Sequence, residues 1–341
     1  MQHSLNFELR RIPTLLPGVA LCAVGVACAL GLNALLPQVS AMLIAIILGI
    51  LVRNLVPLPA WLEPGIAYTA KRILRVGVVL LGLQVALGDI LGLGAGMIVV
   101  VVAIVTIGVL GTLIMGRMLA ISRTQTLLIA CGFSICGAAA VAAADGVIET
   151  KDGEEVVTAV ALVVLYGTVM IFALPAVAGW IGLSTHQSAL WAGGSIHEVA
   201  QVVAAGGIIG GSALATAVVV KLARVLMLAP VMAGISIARR RQIARSADPD
   251  ARGGKMPPIM PLFVAGFIVM VVVRSTGILP VEVLSVMKVI QSALLGAAMF
   301  ALGAGVRLSM FRRVGFRPFI LATASTVLVA GVALGGILLL G

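Results

Sequence analysis

Several runs of this chain go for about 20 residues or more without a single charge, and no soluble fold has a use for that. Leu15 to Leu36, Ile90 to Gly116, Val156 to Thr185, Val199 to Val220 and Pro318 to Gly341 are each long enough to cross about 30 Å of hydrocarbon as a helix. Of the 341 residues 61% are hydrophobic and only 10% are charged, which leaves too few polar residues to cover a soluble surface of this size. Backbone polar groups in lipid must be satisfied within the segment, so an apolar spanning run has to be helical unless it closes a barrel. The expected fold is therefore an all-α polytopic membrane protein with about 11 transmembrane helices. The apolar segments lie at roughly 15–36, 38–53, 72–90, 95–117, 124–146, 155–182, 188–209, 212–238, 257–274, 284–306 and 316–340.

The formal net charge of +11 is spread over loops without aromatic partners, so it argues against nucleic acid and for the positive-inside rule. A cytoplasmic N-terminus puts Arg10/Arg11, Arg53/Lys71/Arg72/Arg75, Arg117/Arg123, the stretch 239–256 and Arg312/Arg313/Arg317 on the cytoplasmic side. The same count sends Asp89 and the acidic segment Asp145 to Glu155 to the other side. The first span follows Arg10 and Arg11 but is longer than a signal-peptide core and has no small-residue cleavage site, so it reads as a retained helix. One transmembrane transporter domain over 1–341 is expected, with 239–256 as a basic cytoplasmic loop between its halves.

Two self-similarities organise the chain. Residues 132–146 (GFSICGAAAVAAADG) match 193–207 (GGSIHEVAQVVAAGG) without gaps at an offset of 61. Residues 43–90 align with 264–311 at an offset of 221, with Arg53/Arg274, Pro59/Pro280, Gly82/Gly303 and Val85/Val306 among the identities. An offset of seven spans reverses direction through the membrane, which is the pattern of inverted repeats in secondary transporters. Both copies of the shorter motif place serine after glycine. Glycine loosens a helix and serine is a preferred N-cap, so each copy is expected to be a helix interrupted near the midplane that restarts at Ser134 or Ser195. In the second copy Ser195 and Glu198 have capping-box spacing. Such a restart exposes free N–H groups and the positive end of a dipole, which suit an anion. The charge-derived count makes the two copies run the same way, so either residues 188–209 are re-entrant or the copies are not symmetry mates.

Lys221 and Arg224 lie three apart, on one face of an apolar segment, where unpaired charges cost several kcal/mol. They are either half of an ion pair with Glu198 or contacts for an oxyanion. His197 and Gln201 are spaced to share a helix face, and histidine is the usual proton carrier near neutral pH. Cys136 occupies the His197 position in the first copy. Cys22, Cys28, Cys131 and Cys136 all fall inside apolar segments and read as packing residues. No phosphate loop, nucleophile elbow, H-E-x-x-H or metal-ligand cluster is present, so neither an enzyme nor a cofactor is expected.

The strings SICGAAAV at 134–141, HEVAQVVAAG at 197–206, VKLARVLMLAP at 220–230 and LLGLQVALGDI at 80–90 resemble the YeiH-type sulfate exporter family of bacterial inner-membrane proteins. That family is similar to the bile-acid symporters and cation/proton antiporters. The resemblance implies inverted repeats with unwound helices crossing at the midplane. It points to Ser134, Cys136, Ser195, His197, Gln201, Lys221 and Arg224 as substrate-binding residues, with His197 and Glu198 for proton or ion coupling. Many members carry arginine where this sequence has Gln84, a departure that points to a different or less charged substrate. The expectation is a secondary active transporter in the bacterial inner membrane that exports sulfate or a sulfonate-like anion. The alternative is a Na⁺/H⁺ antiporter of the same fold class. The expected partners are a small inorganic or organic anion and membrane lipid, with no nucleic acid and with a homodimer left open.

Overall fold

The computed structural model describes residues 12–35, 41–148, 150, 153–245, 262–305 and 315–340. Arg10, Arg11, Arg312, Arg313 and residues 246–256 of the expected basic loop lie outside this range. Among the described residues all regular structure is helical, in sixteen α-helices joined by a few 3₁₀ and π turns. Six helical stretches are long and apolar enough to cross a membrane: Thr14–Leu35, Gly94–Met118, Gly153–Trp180, Ala213–Arg241, Val281–Ala304 and Arg317–Leu340. Ile44–Leu55, Ala138–Ile148 and Leu262–Ser275 are apolar but shorter.

The chain divides into two compact units, one formed by Met1–Leu80 with Ser285–Arg313, the other by Leu81–Leu284 with Val314–Gly341. The first unit contains α1 (Ile12–Leu35), α2 (Ala41–Leu55), α3 (Glu63–Tyr68), most of α4 (Leu74–Leu81) and most of α15 (Val281–Ala304). A helical turn at Ala60–Leu62 leads into α3, and one at Thr69–Ile73 joins α3 and α4 into one path. The second unit contains α5 (Leu87–Leu91), α6 (Gly94–Met118), α7 (Arg123–Cys131), α8 (Ala138–Ile148) and α9 (Gly153–Trp180). It continues with α10 (Thr185–Ser195), α11 (Val199–Ile209), α12 (Gly211–Leu226), α13 (Leu228–Arg245), α14 (Leu262–Ser275) and α16 (Arg317–Leu340).

One pair of close approaches bears on the longer repeat. In the first unit Gly303 packs so tightly on α2 that a Cβ would overlap the carbonyl of Ile46. In the second unit Gly82 packs the same way on the carbonyl of Phe267. Gly82 and Gly303, and Ile46 and Phe267, are each related by the 221-residue offset. Only glycine allows such backbone contact.

The second unit has two ends, marked by its long helices. Helix α6 starts beside the cavity lined by Gly92, Leu93 and Met97 and carries Arg117 in its last turn. Helix α16 runs antiparallel to it, with Leu340 against Gly96 and Val100 against Gly336. A buried hydrogen bond of 2.8 Å joins Thr112 to Ser325 between them. The segment 123–148 does not cross between these ends. The Ser122 hydroxyl, just before α7, donates to the Glu155 carboxylate at the start of α9. The Arg239 guanidinium on α13 donates to the carbonyl of Val147 at the end of α8. Helices α7 and α8 are thus the two arms of a hairpin whose ends both lie where Arg117 and Arg239 lie.

The second copy is also a hairpin, from the opposite end. His186, Gln187 and Leu190 of α10 line one cavity together with Ala215, Thr216 and Val219 of α12, so α10 and α12 run parallel. A Cβ on Gly206 of α11 would sit 3.0 Å from Leu214, which brings the end of α11 back to the start of α12. Asp145, Glu154 and Glu155 therefore share an end with the arginines, contrary to the charge-derived placement of the acidic segment. The expected loop at 239–256 is also corrected in part, because Arg239–Arg245 continue α13 as helix.

Candidate functional site

The tips of the two hairpins meet inside the second unit, and each is broken by its own sequence. In the first, α7 passes into a π turn at Gly132–Cys136 and stops at Gly137, whose φ of 76° and ψ of −139° only glycine adopts without strain. Helix α8 then starts at Ala138. In the second, α10 ends at Ser195, Ile196 is extended, and α11 starts at Val199 with Glu198 as its N-cap. Ala138 and Val199 are equivalent under the 61-residue offset, so the symmetry is as read, but both helices restart four residues later than the serines. Ser134 and Ser195 belong to the helix ends before the breaks rather than capping the helices after them. The capping pair is Glu198 with Gln201, whose Oε1 accepts from the Glu198 N–H at 3.1 Å.

Each arm that ends at a tip leaves carbonyls without partners and presents the negative end of its dipole. Two cations from α12 meet them. The Lys221 ammonium donates to Ile135 at 2.9 Å and to Ile196 at 2.8 Å, which are equivalent positions of the two copies. The Arg224 guanidinium donates to Phe133 at 3.0 Å and Gly194 at 2.8 Å, again an equivalent pair. Its other bonds go to Ser134 (2.9 and 3.2 Å), Gly193 (3.3 Å) and Ile196 (3.0 Å). Both side chains are fully buried. Hydrogen bonds from a charged donor contribute about 1.5–3 kcal/mol each, so the set offsets the cost of burying two charges. Lys221 forms no ion pair with Glu198, unlike Arg53, which pairs with Glu63 at 2.7 Å. All three nitrogens of Arg224 are taken by backbone carbonyls, so in this conformation none is turned to a ligand.

The arms that start at the tips present the opposite polarity. The Glu198 carboxylate accepts the N–H of Ala138, the first residue of α8, at 3.2 Å while capping α11. One carboxylate thus sits at the positive ends of two helices. Gly137 makes room for it, since a Cβ there would overlap Glu198 Cγ. Glu198 is partly exposed, whereas Ser134, Cys136, Ser195, His197, Gln201, Lys221 and Arg224 are buried.

His197 lies in the break rather than on α11, so it does not share a helix face with Gln201. Its Nδ1 faces the carbonyl of Phe133 at 3.2 Å and its Nε2 faces the Thr326 hydroxyl at 3.1 Å. The Thr326 hydroxyl donates to the carbonyl of Ala322 at 2.8 Å, so both ring nitrogens of His197 face oxygens that can accept, and the tautomer decides which of them donates. The Phe133 ring packs against it with centroids 4.4 Å apart. Thr326 and Gly137 are the participants that the sequence reading missed. Thr326 sits in an apolar final helix with nothing to mark it, while Gly137 was visible as the residue aligned with Glu198. Three buried polar atoms at the tips have no hydrogen-bond partner: Ser134 Oγ, Ser195 Oγ and Gln201 Nε2.

The cavity at the end where the second hairpin enters has a volume of about 550 Å³ and is lined by Asp89, His186, Gln187 and Thr216 among others. Its lining on α12 reaches Val219, two residues before Lys221. Gln84 closes the 3₁₀ turn Gly82–Gln84, packed against α14. No group of three metal-ligating side chains exists among the described residues.

This is a multi-pass helical membrane protein with two hairpins meeting tip to tip. Residues 17–322 match the family model described as conserved hypothetical protein 698, and the chain belongs to that family. It is 54% identical over 323 residues to a UPF0324 membrane protein of Corynebacterium glutamicum, which covers 95% of this chain and 92% of the relative. A UPF0324 membrane protein of Pseudomonas aeruginosa is 38% identical over 342 residues, with 96% and 94% covered. A UPF0324 membrane protein named TauZ, from Paracoccus denitrificans, is 37% identical over 304 residues, with 88% of each chain covered. No solved structure matches.

Proposed function

We propose that the chain is a secondary active transporter of the bacterial inner membrane that exports a small oxyanion, sulfate or a sulfonate-like anion, at the junction of the two tips. The observation that carries this reading is the convergence of two helix N-termini, those of α8 and α11, on one negatively charged group. Free N–H groups and positive dipole ends are what a tetrahedral oxyanion needs, and unwound backbone inside a membrane is tolerated only where it is buried in protein or lines a cavity. Lys221 and Arg224 then act by holding the tips together and keeping the region positive, rather than as direct ligands in this conformation. Ser134, Cys136, Ser195 and Gln201 surround the junction as candidate contacts, and His197 and Glu198 as candidate coupling groups.

The two hairpins from opposite ends, and the matched packing of Gly82 and Gly303, support an inverted-repeat architecture, the usual basis of alternating access. Arg117, Arg123, Arg239, Arg240 and Arg241 cluster at one end of the second unit, which by the positive-inside rule faces the cytoplasm. The Na⁺/H⁺ antiporter alternative gains from the partly exposed carboxylate of Glu198. It loses more, because the tip carbonyls that would coordinate Na⁺ already hold Lys221 and Arg224.

The test is flux in proteoliposomes, preceded by a thermal-shift screen against sulfate, sulfite, small sulfonates and carboxylates. One or more oxyanions should stabilise the protein and cross the membrane. A panel without any effect on a well-folded sample, with a sodium-dependent pH change lost in Glu198→Gln, would replace this reading by the antiporter.

A further inference from the structure

The Glu198 carboxylate occupies the place that an anion would take, and the geometry points to a competition: we infer that the transported anion and ionised Glu198 exclude one another at the N-termini of α8 and α11, so that each anion binds together with one proton. The inference rests on the anion-transport reading above and supplies its coupling step.

Three observations carry it. The first is that Glu198 Oε1 accepts the Ala138 N–H at 3.2 Å from across the junction, while the residue also caps α11. Both helices have eleven residues, long enough for each N-terminus to carry its dipole. The second is an unspent donor at the same point. Gln201, 1% exposed, gives its Oε1 to the Glu198 N–H, and its Nε2 has no partner. A carboxylate fills this position with two oxygens, whereas a tetrahedral oxyanion brings further acceptors that the Gln201 amide can meet. The third is exposure. Glu198 is partly exposed while the other ionisable groups of the junction are buried, which makes it the most accessible of them.

The balance is direct. With the site empty, Glu198 is ionised and holds the two N-termini. An arriving oxyanion takes over those N–H donors, and Glu198, displaced, takes one proton from water onto its carboxylate. Release of the anion reverses both changes. The neighbouring charges favour this exchange over simple displacement. Lys221 from α12 and Cys136 from the first tip lie within electrostatic reach of Glu198, and Arg224 within reach of Lys221 and Cys136. Both cations are fixed on carbonyls, and their two positive charges balance a divalent oxyanion but not that oxyanion together with an ionised Glu198. His197 is held between Phe133 and Thr326. From α9, packed against α11, the mid-helix ionisable group is Tyr166, whose hydroxyl is committed to Phe319 and Thr323. A divalent oxyanion that leaves with one proton carries one net negative charge outward, which an interior-negative membrane potential favours.

The experiment measures sulfate binding to the purified full-length protein by calorimetry between pH 5 and 8, in buffers of different ionisation enthalpy. The wild type should take up about one proton per sulfate, and its Kd should rise up to about tenfold per pH unit above the Glu198 titration. Glu198→Gln should bind sulfate with no proton uptake and with a Kd independent of pH, near the wild-type value at low pH. Glu198→Asp, which keeps the carboxylate, should retain the pH dependence. Binding in the wild type without proton uptake, or proton uptake that persists in Glu198→Gln, overturns the competition and leaves the transport reading standing. A folded wild type that binds no oxyanion of the panel at any pH overturns the transport reading itself. If Glu198→Gln elutes as an aggregate, the proton count on the wild type and Glu198→Asp still decides.

Discussion

The two hairpin tips are copies of one motif, and the difference that changes their chemistry lies at the break. At 136 and 137 the first copy has Cys and Gly; at the equivalent 197 and 198 the second has His and Glu. The glycine copy supplies space and the glutamate copy fills it: Gly137 turns left-handed against the side chain of Glu198, whose carboxylate reaches the other helix at Ala138. Around this asymmetric pair two pairs of carbonyls are matched, Ile135 with Ile196 and Phe133 with Gly194. Lys221 and Arg224 take equivalent carbonyls from both tips, so neither hairpin owns them. The symmetric part is built for cohesion, and the asymmetric part concentrates the groups that can change charge or release a ligand.

Breaking the symmetric part should have the largest effect. Arg224→Gln takes the guanidinium from the carbonyl of Ser134 in the first copy and from those of Gly193 and Gly194 in the second. It should lower stability by about 3–5 kcal/mol and abolish sulfate flux, read by thermal unfolding in detergent and by proteoliposome assay. Lys221→Met affects two carbonyls and should cost about 2–3 kcal/mol by the same melt. The asymmetric pair is sharpened by a double-mutant cycle. Gly137→Ala adds a methyl group against Glu198 in a left-handed conformation and should cost about 2 kcal/mol on its own. In a Glu198→Ala background the steric part of that cost disappears, so the two changes should be non-additive by about 1 kcal/mol. Thr326→Val removes the partner of His197 Nε2 together with the bond to the Ala322 carbonyl and should cost about 1 kcal/mol, with flux retained at acidic pH.

The repeat was legible because two tips that perform the same packing keep the same residues at the same spacing. The positions of the breaks were not. Serine after glycine reads as an N-cap, yet Gly137 and the extended backbone at Ile196 place the restarts at Ala138 and Val199. Lys221 and Arg224 announced themselves as charges in an apolar segment, but their partners are backbone carbonyls, which no side-chain pattern encodes. Whether residues 124–146 and 188–209 cross the membrane was beyond hydropathy. Two helices of nine to eleven residues, each about 14–17 Å long, have together the length and apolarity of one spanning helix. The acidic residues then misled the charge count, because Glu155 is held at the arginine-bearing end by the Ser122 hydroxyl, a contact that a count of charges does not contain.

The central claim, that the two hairpins enter from opposite faces, is tested most directly by labelling single cysteines with a membrane-impermeant maleimide after Cys22, Cys28, Cys131 and Cys136 are replaced by serine. Gly153→Cys adds a side chain in open space at the start of α9, Arg241→Cys marks the end of α13, and His186→Cys marks the start of α10. The structure predicts that positions 153 and 241 label from one face and position 186 from the other. Labelling of 153 together with 186, and apart from 241, would contradict the hairpin and restore the first copy as a full crossing.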